Sequence, residues 1–159
     1  MNVRQAGKII IVAVGKLHDE WWTAQQDYLA RLRRYTDVTL VEVKDAVGRG
    51  ASDAVAVQRE GEALLSAAQD ARRRIALSVT GKQMDSPGLA VFLRQQIEVY
   101  GSLAFLIGGP LGLSPAVIAA CQNTLSLSSF TFPHEMARVI LLEQLYRAAT
   151  IISGEKYHK

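Results

Sequence analysis

Cysteine is almost missing from this sequence: one residue, Cys121, in 159. A single thiol excludes an intramolecular disulfide framework and fits a reducing compartment, the cytoplasm. Proline is scarce too, with four residues, so Pro-rich linkers are excluded. Long hydrophobic runs are absent. Runs such as residues 9–14 and 139–142 fall well short of the roughly 18 residues that a membrane span requires. The short apolar stretch near the start leads into Gly15-Lys16, not into a small-residue cleavage site, so no secretory signal is expected. The three histidines are scattered and no Cys/His/Asp group has metal-ligand spacing, so no metal is expected.

What is present is a chain that is 49% hydrophobic, enough for one domain with a core. The net charge of +3 is mild. Its clustering in "RLRR", "ARRR" and "GEKYHK" leaves two readings open, solvated faces or contact with nucleic acid. Strand and helix signals alternate. The stretches "KIIIVAVG", "VTLVEV", "RIALSV", "LAFLIG" and "TLSLS" read as strands. Helices are expected at about residues 19–34, after Ser52, after Ser86-Pro87, after Ser114-Pro115 and from Pro133 to about Ile152. This pattern predicts an α/β fold, a mostly parallel five- to six-stranded sheet with helices on both faces. The last helix is apolar nearly all round, so a second chain is its simplest cover, with burial within the chain's own fold as the competing reading.

Ligands of such sheets bind beyond the carboxyl ends of the strands. Residues 77–82, 108–114 and 127–132 lie there. The loop "IGGPLGLS" has no lysine after its last glycine, so it is not a P-loop. Its spacing, G-G-P-L-G after the fourth strand, is not a dinucleotide fingerprint, and no acid stands about 20 residues on. Tight turning alone is the bland account of the glycines. "LSSFTF" offers backbone groups and small hydroxyls among apolar side chains, a lining suited to a neutral ligand such as adenosine and not to a triphosphate.

"FLIGGPLGLS", "LSLSSFTFPHEMARVILLEQLYRA" and the ending "GEKYHK", with "VAVGKL" and Gly81-Lys82, together resemble the ribosomal large-subunit methyltransferase H family of the SPOUT class. The resemblance spans the chain. It implies a C-terminal trefoil knot, S-adenosylmethionine as methyl donor, a homodimer, and methylation of N3 of a pseudouridine in large-subunit (23S) ribosomal RNA. It implies cofactor contacts at Leu77, Gly108, Leu127, Ser128, Ser129, Phe130, Thr131 and Phe132. Gly109 is added because a glycine pair permits close backbone approach to a ligand.

For proton handling, His158 in the tail is the first candidate, set against a disordered chain end. Tyr157 is a candidate to stack on a base or to pack the tail down. Arg138 is a candidate to bind phosphate or stabilise an anion, set against a salt bridge to Glu135 or Glu143. His134 is expected to pack or cap at the helix start, and Cys121 to be a small buried hydrophobe. Two other classes stand beside the methyltransferase. One is a non-enzymatic RNA-binding domain of the same shape. The other is a nucleotide-binding enzyme of Rossmann or flavodoxin type, disfavoured by the missing acid and the late glycine loop.

Overall fold

Strand β1 (Lys8–Val14) is buried at every position after Lys8, as its continuous apolar run requires. In this computed structural model, which describes residues 7–159, β1 pairs in parallel on both sides. On one side lies β2 (Asp37–Val43), in register from Lys8 opposite Asp37 to Val14 opposite Val43. On the other lies β4 (Ser102–Ile107). Beyond it come β3 (Arg73–Gln83) and, at the edge, β5 (Asn123–Ser126). The described residues thus form one five-stranded parallel sheet of order β2-β1-β4-β3-β5, with no sixth strand.

Side chains alternate across the sheet, as the two-residue period of a strand demands. Ile9, Ile11, Leu103, Phe105 and Ile107 face one layer, while Ile10, Val12, Ala104 and Leu106 face the other. The first layer is built by α1 (Asp19–Leu32), α3 (Ser86–Tyr100) and α5 (His134–Ile152). The second is built by α2 (Asp53–Ala67) and α4 (Pro115–Ala120). Two of the expected caps are in place. Ser52 Oγ accepts from Val55 N–H at 3.3 Å, and Ser114 Oγ accepts from Val117 N–H at 3.2 Å. The third moves by one residue: Asp85, not Ser86, caps α3 by accepting from Gly88 N–H at 2.7 Å. Ser86 is freed to donate to Gln144 Oε1 on α5 at 2.6 Å.

Two further departures bear on function. β3 does not stop near Val79. It leaves its pairing with β5 after Leu77 and rejoins it at Lys82, so residues 78–81 bulge out beyond the sheet. Gly81 marks the close crossing, because a Cβ there would stand 2.7 Å from the backbone of Thr124 and Leu125. The second departure concerns α5. It packs on α1 and α3, and none of its residues is exposed in the single chain. Its wide apolar surface is therefore largely covered from within, and its width alone does not require a second chain.

Candidate active site

A cleft of about 570 Å³ opens at the carboxyl ends of β3, β4 and β5. Three segments wall it: the β3 bulge from Leu77 to Val79, the turn after β4, and the run from β5 into α5. That last run starts at the sheet edge and delivers the first turn of α5 beside β1, where Arg138 meets the Val14 and Gly15 carbonyls. It crosses the ends of β3 and β4 on the way and so closes the cleft from above.

The glycines of the middle wall serve the turn itself. Gly109 and Gly112 form an antiparallel bridge, with Gly112 N–H donating to Gly109 O at 3.0 Å. Gly112 has φ +76°, in the left-handed region. A Cβ on Gly108 would stand 2.5 Å from the Gly112 carbonyl carbon. A Cβ on Gly109 would stand 3.1 Å from Val14 Cγ1 and 3.3 Å from Glu60 Oε2. Gly108 thus permits close approach of backbone to backbone within the turn, and both glycines also line the cleft, where close approach to a ligand is expected. Glu60 was not singled out in the sequence. It is nearly fully buried behind this turn, and burial pushes its carboxyl up against the opposing backbone N–H groups of Ala46 and Val47.

Of the nine residues expected to contact a cofactor, eight line the cleft: Leu77, Gly108, Gly109, Leu127, Ser128, Phe130, Thr131 and Phe132. Ser129 is the exception. Its Oγ accepts from Gln83 Nε2 at 2.8 Å and ties the third wall to the end of β3. Ser128 shapes the same loop, its Oγ accepting from Phe130 N–H at 3.1 Å and its carbonyl accepting from Ser126 Oγ at 2.9 Å. Among the described residues, no lysine, arginine or carboxylate lines the cleft, and His134 is its one titratable lining residue. Val79, Leu111 and Phe130, one from each wall, are exposed at 45%, 48% and 78%. Three large apolar side chains left open around one cleft suit an uncharged, aromatic ligand face.

A family model described as "Predicted SPOUT methyltransferase" matches residues 8–158. The chain belongs to the SPOUT methyltransferase family. Among its relatives, a protein of Halothermothrix orenii named "Ribosomal RNA large subunit methyltransferase H" is 44% identical over 96% of this chain and 99% of its own. One of the same name from Symbiobacterium thermophilum is 45% identical over the same shares. Solved structures agree in fold. A probable methyltransferase from Bordetella pertussis has TM-score 0.61 at 15% identity, covering 91% of this chain and 96% of that one. A putative methyltransferase from Legionella pneumophila, solved in complex with the bound cofactor SAM, has TM-score 0.51 at 13% identity, covering 91% of this chain and 67% of that one.

In this SPOUT chain the residues expected to be catalytic are not gathered at the cleft. Arg138 is 1% exposed. Its Nη1 donates to Glu42 Oε2 at 2.7 Å and Gln25 Oε1 at 3.3 Å, and its Nη2 donates to the carbonyls of Gly15 and Val14 at 2.9 and 3.2 Å. Its ion-pair partner is Glu42, on β2, and not Glu135 or Glu143. In the single chain Arg138 has no access to a phosphate; it pins α5 to the ends of β1 and β2.

The tail is ordered against the far half of α5. Tyr157 packs on Tyr146 with ring centroids 4.6 Å apart, and its hydroxyl donates to Glu143 Oε1 at 3.1 Å. Burial and this hydrogen bond push its phenol up to about 12, so it is a neutral donor at physiological pH. His158 is exposed, with Nδ1 3.5 Å from Arg147 Nη1. The cleft reaches only Ala137 on α5, about 15 Å along the helix from Arg147 at a rise of 1.5 Å per residue. In one chain the tail and the cleft are therefore separate.

His134 was expected to pack or cap. It makes no capping hydrogen bond and lines the cleft instead. Its neighbour Glu135 holds the loop after β1, accepting from His18 N–H at 2.7 Å and contacting His18 Nδ1 at 2.6 Å. That hydrogen bond and the carboxylate's charge raise the His18 pKa. Burial works against ionisation of Glu135, but His18 outweighs it and holds the carboxyl below its ordinary range. Cys121 is half-buried and unpaired, and burial raises its thiol.

Proposed function

We propose that this chain methylates N3 of a pseudouridine in large-subunit ribosomal RNA, using S-adenosylmethionine held in the cleft, and that it works as a homodimer. The observation that carries the reading is the cleft. Three walls enclose uncharged space in a chain 44% identical, over nearly its full length, to a protein named for large-subunit ribosomal RNA methylation. The lining fits the cofactor by its chemistry. Its apolar groups and backbone suit an adenine ring, and no cation stands in it to repel a sulfonium. Leu77, Gly108, Gly109, Leu127, Ser128, Phe130, Thr131 and Phe132 would hold it, with Ser129 keeping the third wall in shape. The same path across the strand ends is compatible with the trefoil knot that the resemblance implies. The substrate places the reaction among ribosomes, in the cytoplasm.

The bound cofactor supplies an electrophilic methyl group. The chain must align the acceptor nitrogen and manage its proton, since an imide nitrogen is protonated at neutral pH. His158 and Tyr157 lie too far along α5 to serve their own cleft, which supports a site completed by the partner's tail. Calorimetric titration with S-adenosylmethionine tests the first step. The second is labelled methyl transfer to large subunits whose target pseudouridine is unmethylated. Binding of subunits without cofactor binding or transfer would favour the non-enzymatic alternative.

A further inference from the structure

A second cleft, of about 700 Å³, opens at the carboxyl ends of β1 and β2. Pro110 and His134 line both clefts, so ligands in the two would meet across these residues. Its chemistry is unlike that of its neighbour. Lys16, His18, Lys44 and Arg49 line it, together with Glu42, Asp45 and Glu135.

The carboxylates are all engaged. Glu42 is bonded to Arg138 at 2.7 Å, Asp45 to Arg49 at 3.2 Å and Glu135 to His18 at 2.6 Å. Among the described residues, neither Lys16 nor Lys44 pairs with a carboxylate, and both are exposed. The cleft is thus left with two free cations. Its walls are fixed beforehand. Gly15 N–H donates to Val43 O at 2.8 Å, Arg138 grips the Val14 and Gly15 carbonyls, and Glu135 clamps His18.

The two arginine clusters are poorly placed for this task. Arg73, in "ARRR", starts β3 at the opposite end of the sheet, where its guanidinium packs over Tyr100 at 4.3 Å. Arg31, in "RLRR", is paired with Asp27 at 3.1 Å. An RNA strand needs cations for its phosphates, and the uncharged first cleft has none.

We infer that this charged cleft seats the acceptor segment of the RNA strand, Lys16 and Lys44 taking its phosphates while the target base is presented across Pro110 and His134 to the neighbouring cleft. The inference rests on the proposed methyl-transfer reading and names where that reaction's substrate lies.

The test is steady-state methyl transfer to unmethylated large subunits by the unaltered protein, Lys16→Ala/Lys44→Ala, and Arg72→Ala as a control at the far end of the sheet. Both lysines are exposed, so the fold should survive, and circular dichroism checks it. The double variant should bind S-adenosylmethionine as the unaltered protein does. Its KM for subunits should rise about tenfold or more with kcat little changed, and its log–log salt slope should shrink by about 1.4–1.8, the loss of two phosphate contacts. Arg72→Ala should change neither. Transfer with KM and salt slope unchanged in the double variant would overturn this inference and leave the methyltransferase reading standing. Absence of transfer by the unaltered protein would overturn both.

Discussion

Arg138 shows how one buried side chain decides where two loops lie. Four hydrogen bonds from its two terminal nitrogens reach β1, β2 and α1, and a lysine has no planar fork with which to span them. Arg138→Lys should therefore cost about 1–3 kcal/mol in urea unfolding, the scale of leaving buried hydrogen-bonding groups unmet. A variant as stable as the parent would contradict the assignment. Gly108→Val tests the glycine turn. With the Gly112 backbone 2.5 Å from the new Cβ, the turn must open. Both stability and S-adenosylmethionine affinity should fall, and loss of affinity at full stability would show that Gly108 serves ligand contact and not the turn. His18 offers a titration test. Its folded pKa is raised, so its contribution to stability is full below the ordinary 6.5 and is lost as pH rises through the folded value. The Glu135 carboxyl is lowered, so its contribution fades as pH falls below the ordinary 4.5. The clamp should be strongest between those limits. NMR titration should place His18 above 6.5, and Glu135→Gln should bring it back down.

At the scale of elements, the tail and α5 are the parts most open to test. Deleting residues 157–159 removes an aromatic pair and the Glu143 hydrogen bond, which should cost about 1 kcal/mol. Cofactor affinity should stay near that of the parent, since the tail is remote from the cleft, while methyl transfer should be largely lost. Full transfer by the truncated protein would sink the assignment of the tail to the reaction. The five strands and five helices were legible because strand runs such as residues 8–14 and caps such as Ser52 and Ser114 are local signals. The β3 bulge was not, because residues 78–81 leave the ladder only through pairing with β5, nearly 50 positions away. The same limit explains Arg138 and Glu42, which meet across 96 positions. It also explains Ser129, whose partner Gln83 lies 46 positions back on another wall. The cleft itself was legible as three loops at strand ends, together with a family resemblance. His134 as a lining residue and the charged second cleft were not, because their meaning lies in which loops become neighbours.

The whole molecule places an uncharged cleft beside a cationic one at one end of a parallel sheet, with the tail held away from both. On the proposed reading, that separation calls for a dimer in which one tail completes the partner's site. Light scattering should give twice the mass of the chain, and a monomer fully active at the same concentration would contradict the shared site. The central claim is tested most directly by one measurement. Unmethylated large subunits are incubated with the protein and S-adenosylmethionine carrying a labelled methyl group, and the recovered RNA is digested to nucleosides and resolved by mass spectrometry. The account predicts one labelled methyl per subunit, carried on N3 of a pseudouridine. Label on a different base or on a ribose, or no label from protein that is folded and binds the subunit, would contradict it.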